Sequence, residues 1–540
     1  MTSPLVALPQ LEVKWSRPDQ PLHIGKDILE LLSTSMYIDP MSMYREFIQN
    51  SADAIDVAKS AGLLHSSGQV EIKIDQSTRS VVIRDNGCGA NKEQFVHQLT
   101  ALGGSKKRGT SARGFRGVGR LAGLAFCQEL IFRSRQESEP TVHELRWDSR
   151  EVRALLRATD NSSDLRDIVA KTIQTRDVPG RNWPHRFFEV ELRGMVRHRD
   201  DRLLNEDLVA AYLAQVAPVP FSPDFQFGEQ IKTFLETHGV RLGAIDLEMM
   251  GRGRIHRPHR DSMAMGKSGQ THFHELTTTY TPGRDGGVAA ATWILHHDYR
   301  GALPSTSLVE GWRFRCGDIQ IGENNLLQSQ FPESRFNAWC VAETHVIDPR
   351  ILPNGRRDHF EQNTYYFDLV NHLSPHARDI AQRCRTSSMA RNLVRLIEER
   401  LTECHQNLRV IEKGVISRSS ARKLTSKLEN TLDHLQRLSI RATIASDQQG
   451  QYLRQLKRLR QRLVRLNSGQ DGGDILSKFT PPQRTVLMEV FAAIYQSTDD
   501  LQKAQALVDK IVSRLSRKAS SHSNKKRKWP HCSEARQHSC

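Results

Sequence analysis

The spacing of apolar residues changes character twice along the 540-residue chain. From about residue 23 to 205, stretches with helical spacing alternate with stretches of strand spacing, a pattern typical of an α/β domain. Residues 206–383 mix both spacings, and residues 384–517 show helical spacing alone. We therefore predict an α+β fold in which two mixed domains precede a helical region, with a polar arm over 1–22 and a basic, disordered tail over 518–540.

Within the first domain the pattern is specific enough to place individual elements. Asp39-Pro40 predicts a helix start, because aspartate caps first turns and proline fits the first helical position, and this helix extends to about Ser60. Alternating apolar residues predict strands over 70–74 and 80–84. A glycine-rich segment follows, and a second helix is predicted from Arg120 to Cys127.

In the C-terminal region, apolar residues recur every three or four positions in three short stripes. This heptad spacing predicts an antiparallel coiled-coil hairpin, and a helical homodimer satisfies the same stripes equally. Further helix is predicted over 480–515. The stripes comprise Ile397, Leu401, Cys404, Leu408 and Ile411; Leu424, Leu428, Thr431, Leu435 and Leu438; and Leu456, Leu459, Leu463 and Leu466.

Charge is unevenly distributed, because the formal net charge of +16 resides almost entirely in the last quarter of the chain. Residues 389–540 carry 29 Lys and Arg against 14 Asp and Glu, whereas residues 1–388 carry 48 against 47. A basic segment attracts phosphate polymers and acidic protein surfaces, although exposed helices also carry such charge for solvation alone.

Composition excludes several classes of protein. With 38% hydrophobic and 26% charged residues the chain has a globular composition, and no apolar run reaches the roughly 18 residues of a membrane span. The start of the chain lacks the pattern of a signal peptide. The eight cysteines form no C-x-x-C pair, which argues against a disulfide scaffold or thiolate zinc site and predicts a reducing, cytoplasmic location.

The first helix carries a polar stripe suited to nucleotide chemistry. Glu46, Asn50 and Asp53 are spaced so that they share one helix face. A carboxylate in this position can orient or deprotonate a water, and an amide oxygen one turn away can bind Mg²⁺. Exposed helices also carry such residues by chance, so the stripe alone is weak evidence.

Two glycine-containing segments follow the predicted strands. Asp85 can accept a hydrogen bond from an exocyclic amine, while Gly87 and Gly89 let the backbone approach a flat ring. A plain strand-to-helix turn favours the same residues. Further on, G-G-S-K-K and G-F-R-G-V-G offer backbone N–H groups and lysine charge to phosphates and form a candidate mobile lid.

Together, in this order and spacing, the three segments resemble the nucleotide-binding boxes of the GHKL superfamily of ATPases. The boxes read E-F-I-Q-N-S-A-D-A-I-D, D-N-G-C-G and G-F-R-G-V-G. This superfamily includes gyrase-type topoisomerases, the 90-kDa heat-shock chaperones, sensor histidine kinases and MutL mismatch-repair proteins. The chain most resembles the heat-shock chaperones, in which the run L-T-A-L-G-G-S-K-K also has a counterpart.

The resemblance continues downstream, where residues 309–323 and 341–361 are similar to the middle, or transducer, domain of these chaperones. In those relatives an asparagine and an arginine of one loop reach the γ-phosphate. Asn354 and Arg357 have the corresponding spacing, and Arg356 is a neighbouring candidate. An ordinary ion-paired loop has the same composition.

The resemblance implies a GHKL, or Bergerat, α/β sandwich over 23–205, a transducer-like domain over 206–383, and ATP with Mg²⁺ as the bound species. By analogy, Glu46 activates the attacking water and Arg357 completes the site when the domains close. Asn50 holds Mg²⁺, Asp85 recognises adenine and Asp53 supports the site through a bound water. The residues implied for the base and the phosphates are Gly87, Gly89, Lys106, Gly114, Gly117, Val118 and Gly119.

The sequence departs from the family in two places. Many members have a Gly-Thr pair before a late strand, where the threonine helps to hold the adenine-side acid. Here Pro184-His185-Arg186-Phe187 precedes the strand predicted at 188–192. The C-terminal region does not resemble the chaperones' dimerisation domain, so their partners cannot be transferred.

Two functions remain open at this point. The first is a slow ATPase that acts as a conformational switch on protein partners. The alternative is an ATP-gated nucleic-acid clamp, as in MutL and microrchidia-type relatives, in which residues 389–540 contact phosphates. A scaffold with a structural nucleotide is a third reading, against which Glu46 argues. The basic stripe comprises Arg454, Lys457, Arg458, Arg460, Arg462 and Arg465.

Overall fold

The computed structural model describes residues 39–101, 113, 119–158, 165–197, 200–266, 269–413, 416, 418–441, 444–468, 476, 479–498 and 501–523. The chain divides into two compact units, Met1–Cys384 and Arg385–Cys540. No helix among these described residues is long and apolar enough to cross a membrane.

An eight-stranded sheet organises the start of the first unit. Its strands are β1 (Gln69–Asp75), β2 (Ser80–Asp85), β3 (Glu129–Arg135), β4 (Thr141–Asp148), β5 (Ile173–Pro179), β6 (Phe187–Arg193), β7 (Asp246–Met249) and β8 (Gly253–Arg254). They are ordered β5-β4-β3-β6-β2-β1-β7-β8. All neighbours are antiparallel except β1 and β7, which run parallel.

Helices cover one face of this sheet. They are α1 (Ser42–Ser60), α2 (Lys92–Thr100), α3 (Ser149–Arg157), α4 (Leu165–Thr172) and α5 (Glu206–Val216). Helix α1 is central, because Phe47, Ile48 and Ile55 are buried in the same core as Ile72 and Ile83 of the sheet. Its polar stripe therefore lies at the edge of the main core.

A five-stranded sheet organises the rest of the first unit. Its strands are β11 (Glu275–Pro282), β12 (Val288–His296), β13 (Gly311–Cys316), β14 (Ile319–Ile321) and β15 (Val341–Val346), in the order β11-β12-β15-β13-β14, and β9 (Ser262–Ala264) with β10 (Gln270–His272) forms a separate pair. Helix α6 (Gly228–Thr237) and the start of α7 (Thr364–Glu412) pack on it. Trp293 and Trp312 are fully buried in its two cores.

The second unit is helical. Besides the end of α7 it contains α8 (Arg418–Ser439), α9 (Ser446–Asn467), α10 (Pro481–Ser497) and α11 (Leu501–Ser523). The three predicted apolar stripes meet in one core within this chain, although Leu432 and not Thr431 is buried in α8. The homodimer stays a prediction.

The predicted α+β class is confirmed, and four predictions of helix position are corrected. Helix α1 ends at Ser60 as predicted but begins at Ser42, because Asp39 caps a preceding turn through its contact with the N–H of Met41 (3.2 Å). Helix α7 begins at Thr364, about twenty residues before the predicted helical region. Helix α11 continues to Ser523, into the predicted tail.

The helix predicted from Arg120 to Cys127 is absent. Gly119–Leu121 forms a 3₁₀ turn, and i→i+3 hydrogen bonds continue from there to Phe126. Gly123 lowers the helix propensity, and a Cβ at this position would lie 2.9 Å from Leu130. The predicted domain boundaries stay predictions, although β7 and β8 join the first sheet from beyond residue 205.

A buried ion-pair network lies between the elements of the two sheets. Arg257 is fully buried and donates to Glu343 (2.8 Å), to Asp318 and to the carbonyl of Val219 (3.0 Å). Arg315 pairs with the other oxygen of Glu343 (2.9 Å). Burial alone would raise the pKa of Glu343, but the two guanidinium groups hold it well below its usual range.

We expect Arg257→Ala to lower the free energy of unfolding by about 3–5 kcal/mol, because it leaves the buried Asp318 without its paired cation and Glu343 with Arg315 alone. Arg254→Ala, which removes an exposed pair with Asp246, is the matched control and should cost at most about 1 kcal/mol. Urea unfolding followed by tryptophan fluorescence measures both. Equal losses in the two variants would show that the network contributes little.

Candidate nucleotide site

Glu46 is the centre of the candidate site. Helix α1 holds it at the edge of the core, where only 8% of the residue is exposed. Its Oε1 lies 3.6 Å from Nη2 of Arg45 and 3.7 Å from Nε of Arg357. A Cβ on Gly119 would lie 2.4 Å from Oε2, so glycine is required for the backbone to approach this carboxylate. Glu46 thus faces two cations and a glycine of the predicted phosphate loop.

Arg357 reaches this position from a loop that follows the second sheet. Its backbone has a φ of 56°, and its carbonyl accepts from the N–H of Gly322 (2.8 Å). Arg45 donates to the carbonyls of Arg356 (3.0 Å) and Arg357 (3.5 Å), and so ties this loop to α1. The structure therefore brings Glu46 and Arg357 together across 311 residues of sequence.

The two neighbouring candidates in this loop point elsewhere. The Asn354 amide donates to Asp358 (2.6 Å) within the loop, and its backbone N–H donates to His359 (2.9 Å). Arg356 is exposed. Arg357 is thus the member of the loop that faces Glu46.

Asp85 ends β2 and is 3% exposed. Its Oδ1 accepts from the backbone N–H of Gly87 (2.9 Å), and the Ser51 hydroxyl of α1 donates to the carboxylate. Burial raises the pKa of Asp85 to about 7, and these two hydrogen bonds oppose the rise without cancelling it. An acid with this pKa near neutral pH is typical of functional sites.

The glycines beside Asp85 are required by packing inside the domain. A Cβ on Gly87 would lie 2.8 Å from Ala54 and from Asp85 itself. Gly89 has a φ of +63°, and a Cβ there would lie 2.3 Å from the carbonyl of Arg135. Their predicted contact with a base stays a prediction, because these packing contacts alone explain both residues.

The residues that replace the Gly-Thr pair hold the same region together differently. Arg186 donates through Nε to the carbonyl of Gly87 (2.9 Å) and through Nη1 to the carbonyl of Leu63 (2.6 Å). Phe188 pairs with Asp85 in the β2–β6 register. The Asp85 turn is therefore held by Ser51 of α1 on one side and by Arg186, directly before β6, on the other.

The polar stripe of α1 fits a magnesium site of the kind that phosphates complete. Asn50 is half-buried one turn after Glu46, and Mg²⁺ takes one or two protein oxygens besides phosphate and water. The described residues contain no cluster of three or more His, Cys, Asp or Glu side chains that could hold a metal unaided. The donor set is thus compatible with Mg²⁺ only when a nucleotide supplies further oxygens.

Asp53, the third member of the stripe, is 3% exposed and accepts from the backbone N–H of Arg113 (2.9 Å). The guanidinium of Arg113 pairs with Asp56 (2.6 Å), one turn further from the core. Of the predicted phosphate residues, Gly119 is described. Lys106, Gly114, Gly117 and Val118 lie outside the described residues.

Sequence reasoning missed Arg45, Ser51, Arg113 and Arg186. Ser51 carries a detectable signal, since it follows Asn50 in the first box. The three arginines carry none, because their partners are backbone carbonyls or residues far along the chain.

Residues 41–175 match the family model described as histidine kinase-, DNA gyrase B-, and HSP90-like ATPase. This segment is a GHKL-type ATPase domain. The match includes α1, the Asp85 turn and Gly119, and it confirms the resemblance seen in the three boxes.

Curated relatives point the same way. The chain is 30% identical over 145 residues to the chaperone protein HtpG of Rickettsia akari, 28% over 141 residues to that of Verminephrobacter eiseniae and 31% over 145 residues to that of Rickettsia prowazekii. Each alignment covers 23% of this chain, and 23%, 21% and 23% of the respective relative. The likeness thus spans less than a quarter of this chain and of each of these relatives.

The raised pKa of Asp85 gives the GHKL domain a defined pH dependence. As pH rises from about 4 to about 7, this carboxyl ionises in the unfolded chain but keeps its proton in the folded one. The folded state therefore binds more protons, and stability falls with rising pH in this window. We expect Asp85→Asn, which cannot ionise, to lose less unfolding free energy than the wild type between about pH 4 and about pH 7.

Urea unfolding at several pH values measures the difference. Asp201→Asn is the control, because Asp201 is partly exposed and paired with Arg79, which lowers its pKa below this window. Parallel stability profiles for the wild type and Asp85→Asn would contradict the assignment.

Proposed function

We propose that this chain is an Mg²⁺-dependent ATPase whose hydrolytic cycle acts as a conformational switch on protein partners. The observation that carries the proposal is the approach of Arg357, from the second sheet, to within 3.7 Å of Glu46 on α1. Arg357 follows the second sheet, whereas Glu46 lies on the helix that packs on the first sheet. The site is therefore complete only in some relative positions of these two sheets.

Glu46 is the water-activating residue in this proposal. Its carboxylate orients the attacking water and accepts its proton as the oxygen bonds to the terminal phosphorus and the bond from that phosphorus to the ADP oxygen breaks. Arg357 stabilises the negative charge that develops on the terminal phosphate oxygens. Arg357 and Arg45 both lie beside Glu46, so ATP binding in this proposal redirects part of their positive charge to phosphate.

Asp85 selects the base. In its ionised form the buried carboxylate accepts a hydrogen bond from the exocyclic amine of adenine, which guanine lacks at that position. Asn50 holds Mg²⁺, which neutralises phosphate charge when bound. Asp53 supports the site from the neighbouring turn of α1.

The partner class is proposed from the relatives, whose printed names describe chaperones. The chain shares less than a quarter of its length with them, so a protein client and the predicted cytoplasmic location both stay proposals. Slow turnover is part of the proposal, because the rate is limited in it by movement of the two sheets relative to each other and not by the chemical step.

Steady-state ATP hydrolysis with Mg²⁺, combined with direct ATP binding, tests the proposal. We expect Glu46→Ala to bind ATP but to lose about 10²–10⁴-fold in hydrolysis, because the attacking water loses its base. We expect Asp85→Asn to lose ATP binding. Glu71→Ala, an exposed glutamate of β1, is the control and should behave as the wild type. Wild-type turnover retained by Glu46→Ala would contradict the proposal.

The nucleic-acid clamp is the second candidate, and one observation favours it. On α9, Arg454, Lys457, Arg458 and Arg465 are exposed, and none of them pairs with an acidic side chain in the described part of the chain. The other two members of the stripe are paired, Arg460 with Asp433 and Arg462 with Glu412. Four unpaired cations on one helix suit contact with a phosphate backbone.

Replacing these four residues together by Gln tests the clamp. If α9 contacts phosphates, duplex DNA affinity falls and the slope of log affinity against log salt decreases by about 3 to 4. A control variant with Gln at the exposed Lys171, Arg181, Arg241 and Arg284 matches the change in net charge. An unchanged salt slope in the α9 variant would exclude the clamp.

A further inference from the structure

Arg113 contacts three parts of the first unit that are far apart in the sequence. The first is helix α1. The backbone N–H of Arg113 donates to Asp53 Oδ1 (2.9 Å), and its Nη1 lies 2.6 Å from Asp56 Oδ2 and 3.5 Å from Asp53 Oδ1. Only 7% of the Arg113 side chain is exposed, whereas the Asp56 carboxylate at the other end of the pair is partly exposed.

The second part is the hairpin between β13 and β14. Arg113 Nε donates to the carbonyl of Gly317 (2.6 Å). Gly317 and Asp318 have φ values of 58° and 66°, which is the backbone of a tight two-residue hairpin turn. A Cβ on Gly317 would lie 2.8 Å from Arg113 Cγ, so the turn rests directly on the arginine stem.

The third part is the Arg357 loop. The backbone carbonyl of Arg113 accepts from Arg357 Nη2 (2.5 Å). The same guanidinium presents its Nε to Glu46 at 3.7 Å. The orientation of Arg357 at the candidate site therefore depends on where the Arg113 carbonyl lies, and α1 and the hairpin fix that carbonyl.

We propose that Arg113 is a positioning residue for ATP hydrolysis. It holds the Arg357 guanidinium against Glu46 and couples the position of the β13–β14 hairpin to the GHKL domain. The inference rests on the proposed ATPase function. Arg113 itself lies in the glycine-rich segment between the second and third boxes, next to Gly114. Hydrolysis would thus be linked to the second sheet through one residue of that segment.

The side chain must be arginine for this purpose. Arg113 serves a carboxylate with Nη1 and a carbonyl with Nε at the same time, through two donors of one rigid fork. A lysine ammonium is a single point charge, so it does not reproduce the fixed separation of these two arginine donors. Arg113→Lys therefore keeps the charge and weakens the link between α1 and the hairpin.

The test compares kcat and KM for ATP in the full-length chain. We expect Arg113→Ala to lower kcat about 10- to 100-fold, because a misplacement of about 1 Å at the reacting centre has this effect. KM should change less than about 3-fold, since adenine contacts are untouched. The kcat of Arg113→Lys should fall between those of the wild type and Arg113→Ala. Asp56→Asn, at the exposed end of the pair, should also lower kcat.

The decisive comparison is the double variant. If Arg113 acts through Arg357, then Arg113→Ala causes no further loss of kcat in an Arg357→Ala background. Arg153→Ala is the matched control, because Arg153 likewise donates to backbone carbonyls, those of Leu124 and Cys127, and has no described contact with the Arg357 loop. It should leave kcat unchanged.

Several results would overturn the inference. Wild-type kcat in both Arg113→Ala and Asp56→Asn, or losses that multiply in the double variant, would show that Arg113 does not position Arg357. Loss of ATP binding together with kcat in Arg113→Lys would indicate a purely structural role. If the wild type hydrolyses no ATP, the proposed function fails and this inference fails with it; the other results leave the proposed function standing.

Discussion

A buried carboxylate requires a nearby positive charge, and this constraint shapes the first unit around Glu46. The charge comes from two directions. Arg45 precedes Glu46 on the same helix, while Arg357 comes from a loop beyond the second sheet. Helix α1 can present Glu46 only because its opposite face is packed against the eight-stranded sheet.

The same elements that hold Arg357 also connect the two sheets. Arg45 binds the carbonyls of the Arg357 loop, and Arg113 binds both that loop and the hairpin of the second sheet. Deeper in the unit, Arg257 joins Asp318 of this hairpin to Glu343 of β15. Asp318 follows Gly317 directly, so one turn carries both the buried network and the contact to Arg113. A shift of this hairpin would therefore move Arg113 and, through it, change the position of Arg357 relative to Glu46.

Local patterns predicted the elements that carry the site. The end of α1, the strands β1 and β2 and the position of Asp85 follow from apolar spacing and turn residues, which are properties of neighbouring positions. The helix from Arg120 to Cys127 was predicted wrongly, because Gly123 packs against Leu130 and Leu192 in a way that only the folded sheet determines. The resemblance to a known family, and not spacing, predicted that Arg357 belongs with Glu46. Arg113 was beyond prediction, since its partners lie about 60 and 204 residues away.

Whether Glu46 and Arg357 form one hydrolytic site can be measured by single-turnover hydrolysis of bound ATP by Arg357→Ala. We expect this variant to bind Mg²⁺-ATP with an affinity close to that of the wild type and to hydrolyse it about 100-fold more slowly. Hydrolysis at the wild-type rate by a variant that binds ATP normally would contradict this, because the cation that the loop after the second sheet brings to Glu46 would then have no part in the reaction.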